Sequence, residues 1–217
     1  IDGTYLENFK NVWDLYTNTS AASKATLTSG TYNAEQEFGM GEAVFYQNGD
    51  WEYAAFDNAE NGYLVTTDDI AMMPIYFGVD DAKEGLAVGT ENHWAVNSQA
   101  SQADIDATLA FLEWVISSDE GRDAITNQMG LSAPFDTFTG DFASNNKLAA
   151  CANDYAAKGC TSVAWSFNAT PNVDDWRAGV VDGMVSYTCN GGDWSDVEKA
   201  FVDGWANQWK LAHEGEE

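Results

Sequence analysis

The spacing of apolar residues along the chain predicts mainly helices. The first helix carries an apolar stripe that continues through about residue 17: Tyr5, Phe9, Val12, Trp13 and Tyr16. Three predicted helix starts carry residue pairs typical of caps: Thr4 with Glu7, Ser101 with Asp104, and Ser195 with Glu198. The same patterns predict further helices at 33–39, 50–56, 118–128 and 148–158, and after Pro171. The polar segment 17–30 predicts a loop with at most one helical turn.

Short apolar segments predict the strands. Residues 43–46 predict a strand, followed by an Asn48-Gly49 turn with positive φ angles and a helix capped by Asp50. Two short strands are predicted within 85–97 and another at 161–167. The apolar run 69–77 contains a proline, which fits only an edge strand or a strand end. The pattern therefore predicts a helix-rich α/β chain with few, short strands.

The segment 40–51 is the first candidate for a binding site. A strand that turns directly into a helix places the helix start, here with Trp51, at the carboxyl end of a sheet. Ligands of open α/β sheets bind at that edge. Core packing of the Trp51 indole is the alternative that this segment alone leaves open.

Composition and charge narrow the range of partners. The 217 residues include 45% apolar residues, which is enough for one or two domains with a sizeable core. Nine Lys and Arg against 35 Asp and Glu give a formal net charge of −26. This charge repels nucleic acid and anionic lipid, and it suits a neutral or cationic ligand and a surface outside the cell. No signal peptide pattern is present, so the chain is predicted to be cytosolic, processed or a fragment.

Motifs of common catalytic chemistries are missing from the sequence. It contains two histidines and no G-x-S-x-G elbow, P-loop, complete dinucleotide loop or EF-hand pattern, so no cofactor or metal is predicted. A carboxylate pair for glycoside hydrolysis stays open, because 35 acidic residues always allow one. The three cysteines predict either one disulfide, with Cys151 and Cys160 as the favoured pair, or small buried free thiols.

Tryptophans at the ends of predicted elements suggest carbohydrate binding. Four of the nine tryptophans lie at such ends: Trp51, Trp94, Trp165 and Trp176. The apolar faces of sugar rings stack on indoles, and sugar hydroxyls bond to neighbouring polar groups. Such groups flank three of these tryptophans: Asp50, Arg177, and the run Glu91, Asn92 and His93. Core packing is the alternative at each position.

Three sequence matches in a fixed order resemble a known family. They are FGMGEAV at 38–44 followed by GDW at 49–51, MMPI at 72–75 followed by WAV at 94–96, and FLEWVISSDEG at 111–121 followed by GLSAP at 130–134. The chain resembles the C-terminal half of an extracellular solute-binding protein of sugar ABC transporters, the class that includes maltose-binding proteins. The resemblance covers nearly the whole chain.

The resemblance implies a periplasmic-binding-protein-like (type II) α/β fold, in which two lobes close on a sugar. It implies that residues 1–82 belong to the second lobe, that 83–138 cross into the first lobe, and that 139–217 return to the second. Most of the N-terminal lobe would be absent, and the segment 78–85 and the region of Pro134 would contain the hinge.

The resemblance also assigns roles to individual residues. Trp51 matches the stacking tryptophan of the family, and Trp176 falls where a second aromatic meets the sugar. The loop of Glu91, Asn92 and His93 matches a cleft loop that is usually formed by small residues, which is a departure from the family. A monomeric, non-enzymatic, lipid-anchored protein that delivers a carbohydrate to a permease is implied. A carbohydrate-active enzyme and an acidic structural or adhesive module are the alternatives.

Overall fold

The computed structural model describes residues 1–79, 84–89, 93–164 and 169–215, and helices dominate them. Nine α-helices lie in this part of the chain: α1 (Leu6–Thr19), α2 (Lys24–Leu27), α3 (Ala34–Gly39), α4 (Tyr53–Phe56), α5 (Gln102–Ser117), α6 (Asp119–Asp123), α7 (Lys147–Ala157), α8 (Val173–Cys189) and α9 (Trp194–Ala212). Turns of 3-10 helix lie at Asp50–Glu52, Ala59–Asn61 and Gly140–Phe142, and a π-helical turn follows α6 at Ala124–Gln128. None of the helices described is both long enough and apolar enough to cross a membrane.

Two short strands form a parallel sheet. Strand β1 (Glu84–Val88) pairs with β2 (Thr161–Ala164), and Val88 lies opposite Ala164. Parallel strands need a crossover connection, which the helices between them provide here. Helix α7 packs against both strands. The prediction of a helix-rich α/β chain with few, short strands is therefore confirmed.

The best-buried core lies where α1 packs on α8 and α9. Val197 is fully enclosed, and Val180 and Trp194 are nearly so. Phe9 of α1 contacts the rings of Trp194 and Phe201, with centroids 5.9 and 5.6 Å apart. These aromatic contacts join the first helix of the chain to its last, and the Trp13 indole, which donates to the Thr188 hydroxyl at 2.9 Å, joins it to α8.

A smaller aromatic cluster holds α3 and α4 together. Four rings form a chain of contacts with centroids 5.5–5.6 Å apart: Phe38, Tyr46, Phe56 and Tyr63. Phe56 is its buried member. The cluster fixes the segment that contains the Asn48-Gly49 turn, because Tyr46 and Phe56 lie on either side of that turn.

The predicted helices are confirmed, whereas the predicted caps Thr4, Ser195 and Asp50 are wrong. Ser101 caps α5 as expected, since its hydroxyl accepts from the Asp104 amide. Thr4 instead bonds to Asp2, and α1 begins without a side-chain cap. Helix α9 begins earlier than predicted, because Asp193 accepts from the Ser195 amide and becomes the cap. Several polar residues near a helix start can act as the cap, and local spacing does not select among them.

Three predicted strands are absent from the residues described. The segments 43–46, 69–77 and 93–97 are not part of any sheet, and Val44 and Phe45 are 83% and 77% exposed. An apolar run favours a strand, but a strand also needs a neighbouring strand that supplies backbone hydrogen bonds. In the described ranges that pairing exists for β1 and β2. Residues 165–167 of the predicted last strand lie outside the described residues.

The favoured Cys151–Cys160 disulfide is wrong, because all three cysteines are free. Cys151 lies within α7, which continues to Ala157 over about 9 Å of helix rise. A disulfide requires Cα atoms within about 7 Å, so this helix keeps the two thiols apart. None of the three thiols lies in a fully buried residue, since Cys189 is exposed and the other two are half-buried.

Candidate functional site

The turn that carries Trp51 has a different structure from the one predicted. The φ angle of Gly49 is −115°, so the predicted positive φ at this position is wrong. Asn48 stabilises the turn through its side-chain oxygen, which accepts from the Gly49 amide at 2.9 Å. Gly49, and not Asp50, is the cap of the 3-10 turn Asp50–Glu52, which then continues into α4.

The ring of Trp51 explains why residue 49 is a glycine. A Cβ atom on Gly49 would lie 2.2–2.5 Å from three carbons of the Trp51 six-membered ring, which is well inside van der Waals contact. The indole therefore rests directly on the Gly49 backbone. Trp51 is nevertheless 55% exposed. The result is an aromatic surface that is supported from one side and open to solvent.

A buried asparagine attaches this turn to the start of α7. The Asn146 amide nitrogen donates to the Asp50 carbonyl oxygen at 2.8 Å, across 96 positions of sequence. Nearby, Lys147 forms an ion pair with Asp68, and this bond raises the pKa of Lys147. Asn146 is not among the site residues predicted from the sequence. Its position before a predicted helix was the available signal, and it indicates a cap but not the distant partner.

The polar groups beside Trp51 are mainly acidic. Tyr46 donates to a Glu52 carboxylate oxygen at 2.9 Å. Burial, opposed by a hydrogen bond from Asn48 and assisted by the bond to Glu52, raises the pKa of Tyr46 to about 12, so Tyr46 is a neutral donor at pH 7. Asp50 is half-buried at the same turn. Carboxylates accept hydrogen bonds, so this surface suits a ligand rich in hydroxyl donors.

Trp176 lies at the interface of α8 and α9, whereas the neighbouring Arg177 faces solvent. The Trp176 indole donates to the Phe201 carbonyl oxygen at 3.0 Å and meets the Phe201 ring edge-on at 5.4 Å. Arg177 pairs with Asp174 at 2.7 Å on the exposed side of α8. These contacts of Trp176 are those of core packing. The sugar contacts predicted for Trp176 and Arg177 stay a prediction.

The predicted cleft loop is described only at its end. His93 is exposed, and Trp94 is 56% exposed. Glu91 and Asn92 lie outside the described residues, as does Trp165. The contacts in the described ranges connect Trp51 with its own turn and with α7, and they connect Trp176 with α9. They do not bring Trp51, His93 and Trp176 into one cluster.

Two open grooves of about 410 and 790 Å³ lie beside residues 1–6. Side chains of α9 complete the smaller groove, and Phe9 and Phe201 complete the larger one. Neither groove includes Trp51 or Trp176. Among the residues described, no cluster of three or more His, Cys, Asp or Glu has the arrangement of a metal site.

The sequence model of a family described as bacterial extracellular solute-binding protein matches residues 3–150, about two thirds of the chain. The chain belongs to this family. The matched region of this solute-binding protein includes Trp51 and Asn146 and ends before Trp176. No curated protein and no solved structure matches the chain.

Membership confirms the predicted family and supports a periplasmic-binding-protein-like fold. Proteins of this family act outside the cytoplasm, bind a solute and serve ABC transporters, whose permease is their partner. They are typically carriers rather than enzymes. The open aromatic surface at Trp51 therefore lies in a protein whose general task is to bind a solute.

Proposed function

We propose that this solute-binding protein binds a mono- or oligosaccharide for an ABC importer, with Trp51 as the stacking surface. The observation that carries the proposal is the exposed indole seated on Gly49. A flat aromatic surface held from behind suits the apolar face of a sugar ring, because stacking then requires little further ordering of the side chain. Core packing does not account for an indole that is 55% exposed.

The charge of the site supports a neutral, hydroxyl-rich ligand. Asp50 and Glu52 lie in the same turn as Trp51, and the whole chain has a formal charge of −26. Anionic solutes such as phosphates or dicarboxylates are repelled by this field. Sugar hydroxyls donate to carboxylates without that penalty.

Two-lobed closure is the mechanism we infer for uptake. In this mechanism, residues 1–82 and 139–217 form the second lobe, and residues 83–138 cross to the first. Ligand binding favours the closed state, and the permease recognises that closed state. The exposed apolar side chains of α5 support such a crossing segment, since Leu109, Phe111 and Trp114 are 51%, 58% and 48% exposed. A covering lobe would remove these side chains from water. The protein would work as a monomer, tethered by a lipid outside the cell.

The cleft would be completed by residues outside the Trp51 turn. Glu91, Asn92 and His93 would contribute polar contacts from the crossing segment, and Trp176 with Arg177 would contribute from α8. Their roles rest on the resemblance in sequence and not on contacts with Trp51. The proposal for Trp51 and Asp50 is independent of them, because both residues lie in the exposed turn.

Isothermal titration of the chain with glucose, maltose, maltotriose and cellobiose tests the proposal. We expect heat with at least one sugar, and its loss in Trp51→Ala. Trp209→Ala is the matched control, because Trp209 is 46% exposed on α9. Equal binding by Trp51→Ala and the unmodified chain would contradict the site, and no heat with any sugar would contradict the ligand class. Chromatography of the recovered sugar completes the test, since a shortened sugar would indicate an enzyme instead.

A further inference from the structure

Asn146 makes an unusual set of hydrogen bonds for a helix cap. Its side-chain oxygen accepts from the amides of Leu148 and Ala149 at 2.9 and 3.1 Å and thereby caps α7. Its side-chain nitrogen donates to the Asp50 carbonyl oxygen at 2.8 Å. The residue is 7% exposed, so both ends of the amide are used inside the protein.

The bond to Asp50 acts at the residue directly before Trp51. Asp50 opens the 3-10 turn on which the indole is carried, so a shift of its carbonyl moves the backbone of Trp51. Helix α7, which Asn146 caps, packs against both strands of the sheet. Asn146 therefore connects the aromatic surface to the sheet through one rigid helix.

We propose that Asn146 is a positioning residue for the sugar-stacking indole, holding the Trp51 turn in place on α7. This inference rests on the proposed function of Trp51. Asn146 does not touch the ligand and acts through the Asp50 carbonyl. A ligand surface needs support from buried hydrogen bonds of this kind, because a loosely held side chain loses affinity through its own ordering.

The two roles of Asn146 are separable by substitution. In Asn146→Asp a carboxylate oxygen still accepts from Leu148 and Ala149, and Asp is a good cap. The carboxylate cannot donate to the Asp50 carbonyl, however, and repels it. Asn146→Ser also keeps a capping oxygen and removes the donor without adding charge. The pair of variants therefore removes the attachment of the turn while the cap of α7 is retained.

Fluorine NMR of the chain labelled with 5-fluorotryptophan reports the position of Trp51 without any sugar. The nine tryptophans give nine resonances, and Trp51→Phe identifies one of them. We expect both Asn146 variants to shift or broaden the Trp51 resonance and to leave the others in place. Asn33→Asp is the matched control, since Asn33 caps α3 by accepting from the Gln36 amide and undergoes the same chemical change.

Titration with the sugars named above gives the second readout. We expect Asn146→Asp to weaken binding about tenfold and Asn33→Asp to leave it unchanged. An unchanged Trp51 resonance in both folded Asn146 variants would overturn the positioning role, whatever the sugar result. If the unmodified chain binds none of these sugars, the proposed function fails while the NMR measurement still decides the role of Asn146. If binding is lost in Trp51→Ala but kept in both Asn146 variants, the function stands and this inference fails.

Discussion

The Trp51 indole lies so close to the Gly49 backbone that a single methyl group on Gly49 would displace it. A Cβ atom on Gly49 would lie 2.2 Å from Cζ3 of the ring. The backbone of Gly49 itself does not require glycine, because φ is −115° and every residue adopts this conformation. The position of the Trp51 ring, and not the backbone conformation, therefore requires glycine at residue 49.

Gly49→Ala should move the indole and leave the fold intact. The methyl group forces the Trp51 ring off the backbone, so we expect sugar binding to weaken about tenfold, which corresponds to about 1.4 kcal/mol. The thermal midpoint should change little, because the ring is largely exposed already. Isothermal titration and thermal unfolding by circular dichroism measure the two effects.

Gly179→Ala is the control for this substitution. A Cβ atom on Gly179 meets no atom within 4 Å, and the residue lies within α8. Alanine should stabilise the helix by about 1 kcal/mol and leave sugar binding unchanged. Unchanged sugar binding by Gly49→Ala would show that the contact between the Trp51 ring and the Gly49 backbone has no role in ligand recognition.

Truncation of Trp176 should lower the free energy of unfolding much more than truncation of Trp51. Trp176 packs against Phe201 and donates its indole hydrogen to a backbone carbonyl, so Trp176→Ala removes these packing contacts and the hydrogen bond. We expect a loss of about 3–5 kcal/mol in the free energy of unfolding. Trp51→Ala should change that free energy by less than about 1 kcal/mol, because the side chain is mostly exposed.

Urea unfolding followed by circular dichroism at 222 nm measures both variants. Trp176→Phe separates the two contributions, since it keeps an aromatic ring but loses the hydrogen bond. We expect this variant to lose about 1 kcal/mol in the free energy of unfolding. A Trp176→Ala variant as stable as the unmodified chain would contradict the packing role and favour the ligand role predicted from sequence. Sugar titration of folded Trp176→Phe then tests the ligand role directly.

The sequence predicted the helices well because their signals are local. Ser101 and the apolar stripe that follows it are close in sequence, so α5 was predicted with the correct start and cap. The same pattern gives the wrong cap at Ser195, because Asp193 two residues earlier accepts from the Ser195 amide and the helix begins at Trp194. Local patterns thus identify a helix more securely than its first residue.

Strands and the site depend on partners distant in sequence. Residues 43–46 have the composition of a strand, but the described part of the chain supplies no strand to pair with them. Trp51 was identified from its place after the Asn48-Gly49 turn, whereas the reason for the glycine was wrong. Asn146 was missed because no local pattern connects it with a carbonyl 96 positions away.

Asp14 should stabilise the fold in a pH-dependent way. Burial alone would raise its pKa, but hydrogen bonds from Lys10 at 2.7 Å and Tyr187 at 2.9 Å outweigh it, and the pKa lies below its usual value. A carboxyl group whose pKa is lowered by folding stabilises the protein above its unfolded pKa of about 3.9. That stabilisation is lost as the pH falls through the folded pKa.

Asp14→Asn removes this contribution. The difference in unfolding free energy between the unmodified chain and Asp14→Asn should be constant from pH 7 to about pH 5 and shrink below about pH 4. Asp174→Asn is the surface control, because Asp174 is 83% exposed in its pair with Arg177 and should show a small difference at every pH. A difference for Asp14→Asn that grows toward acid pH would contradict the sign of the shift.

Salt should stabilise this protein because its charges mostly repel one another. Acidic residues exceed basic ones by 26 at pH 7. The exposed ion pairs Lys147–Asp68, Arg177–Asp174 and Lys199–Asp196 offset little of this repulsion. Raising NaCl from about 0.01 to 0.15 M shortens the screening length from about 30 to about 8 Å. We expect the thermal midpoint to rise by several degrees. This rise corresponds to a gain of about 1–2 kcal/mol in the free energy of unfolding, since 1 kcal/mol corresponds to about 2–4 °C at this size.

The isoelectric point provides the control. At the sequence isoelectric point, about 4.1, the net charge vanishes and the salt effect should vanish with it. A midpoint that falls with added NaCl at pH 7 would mean that local ion pairs outweigh the net repulsion.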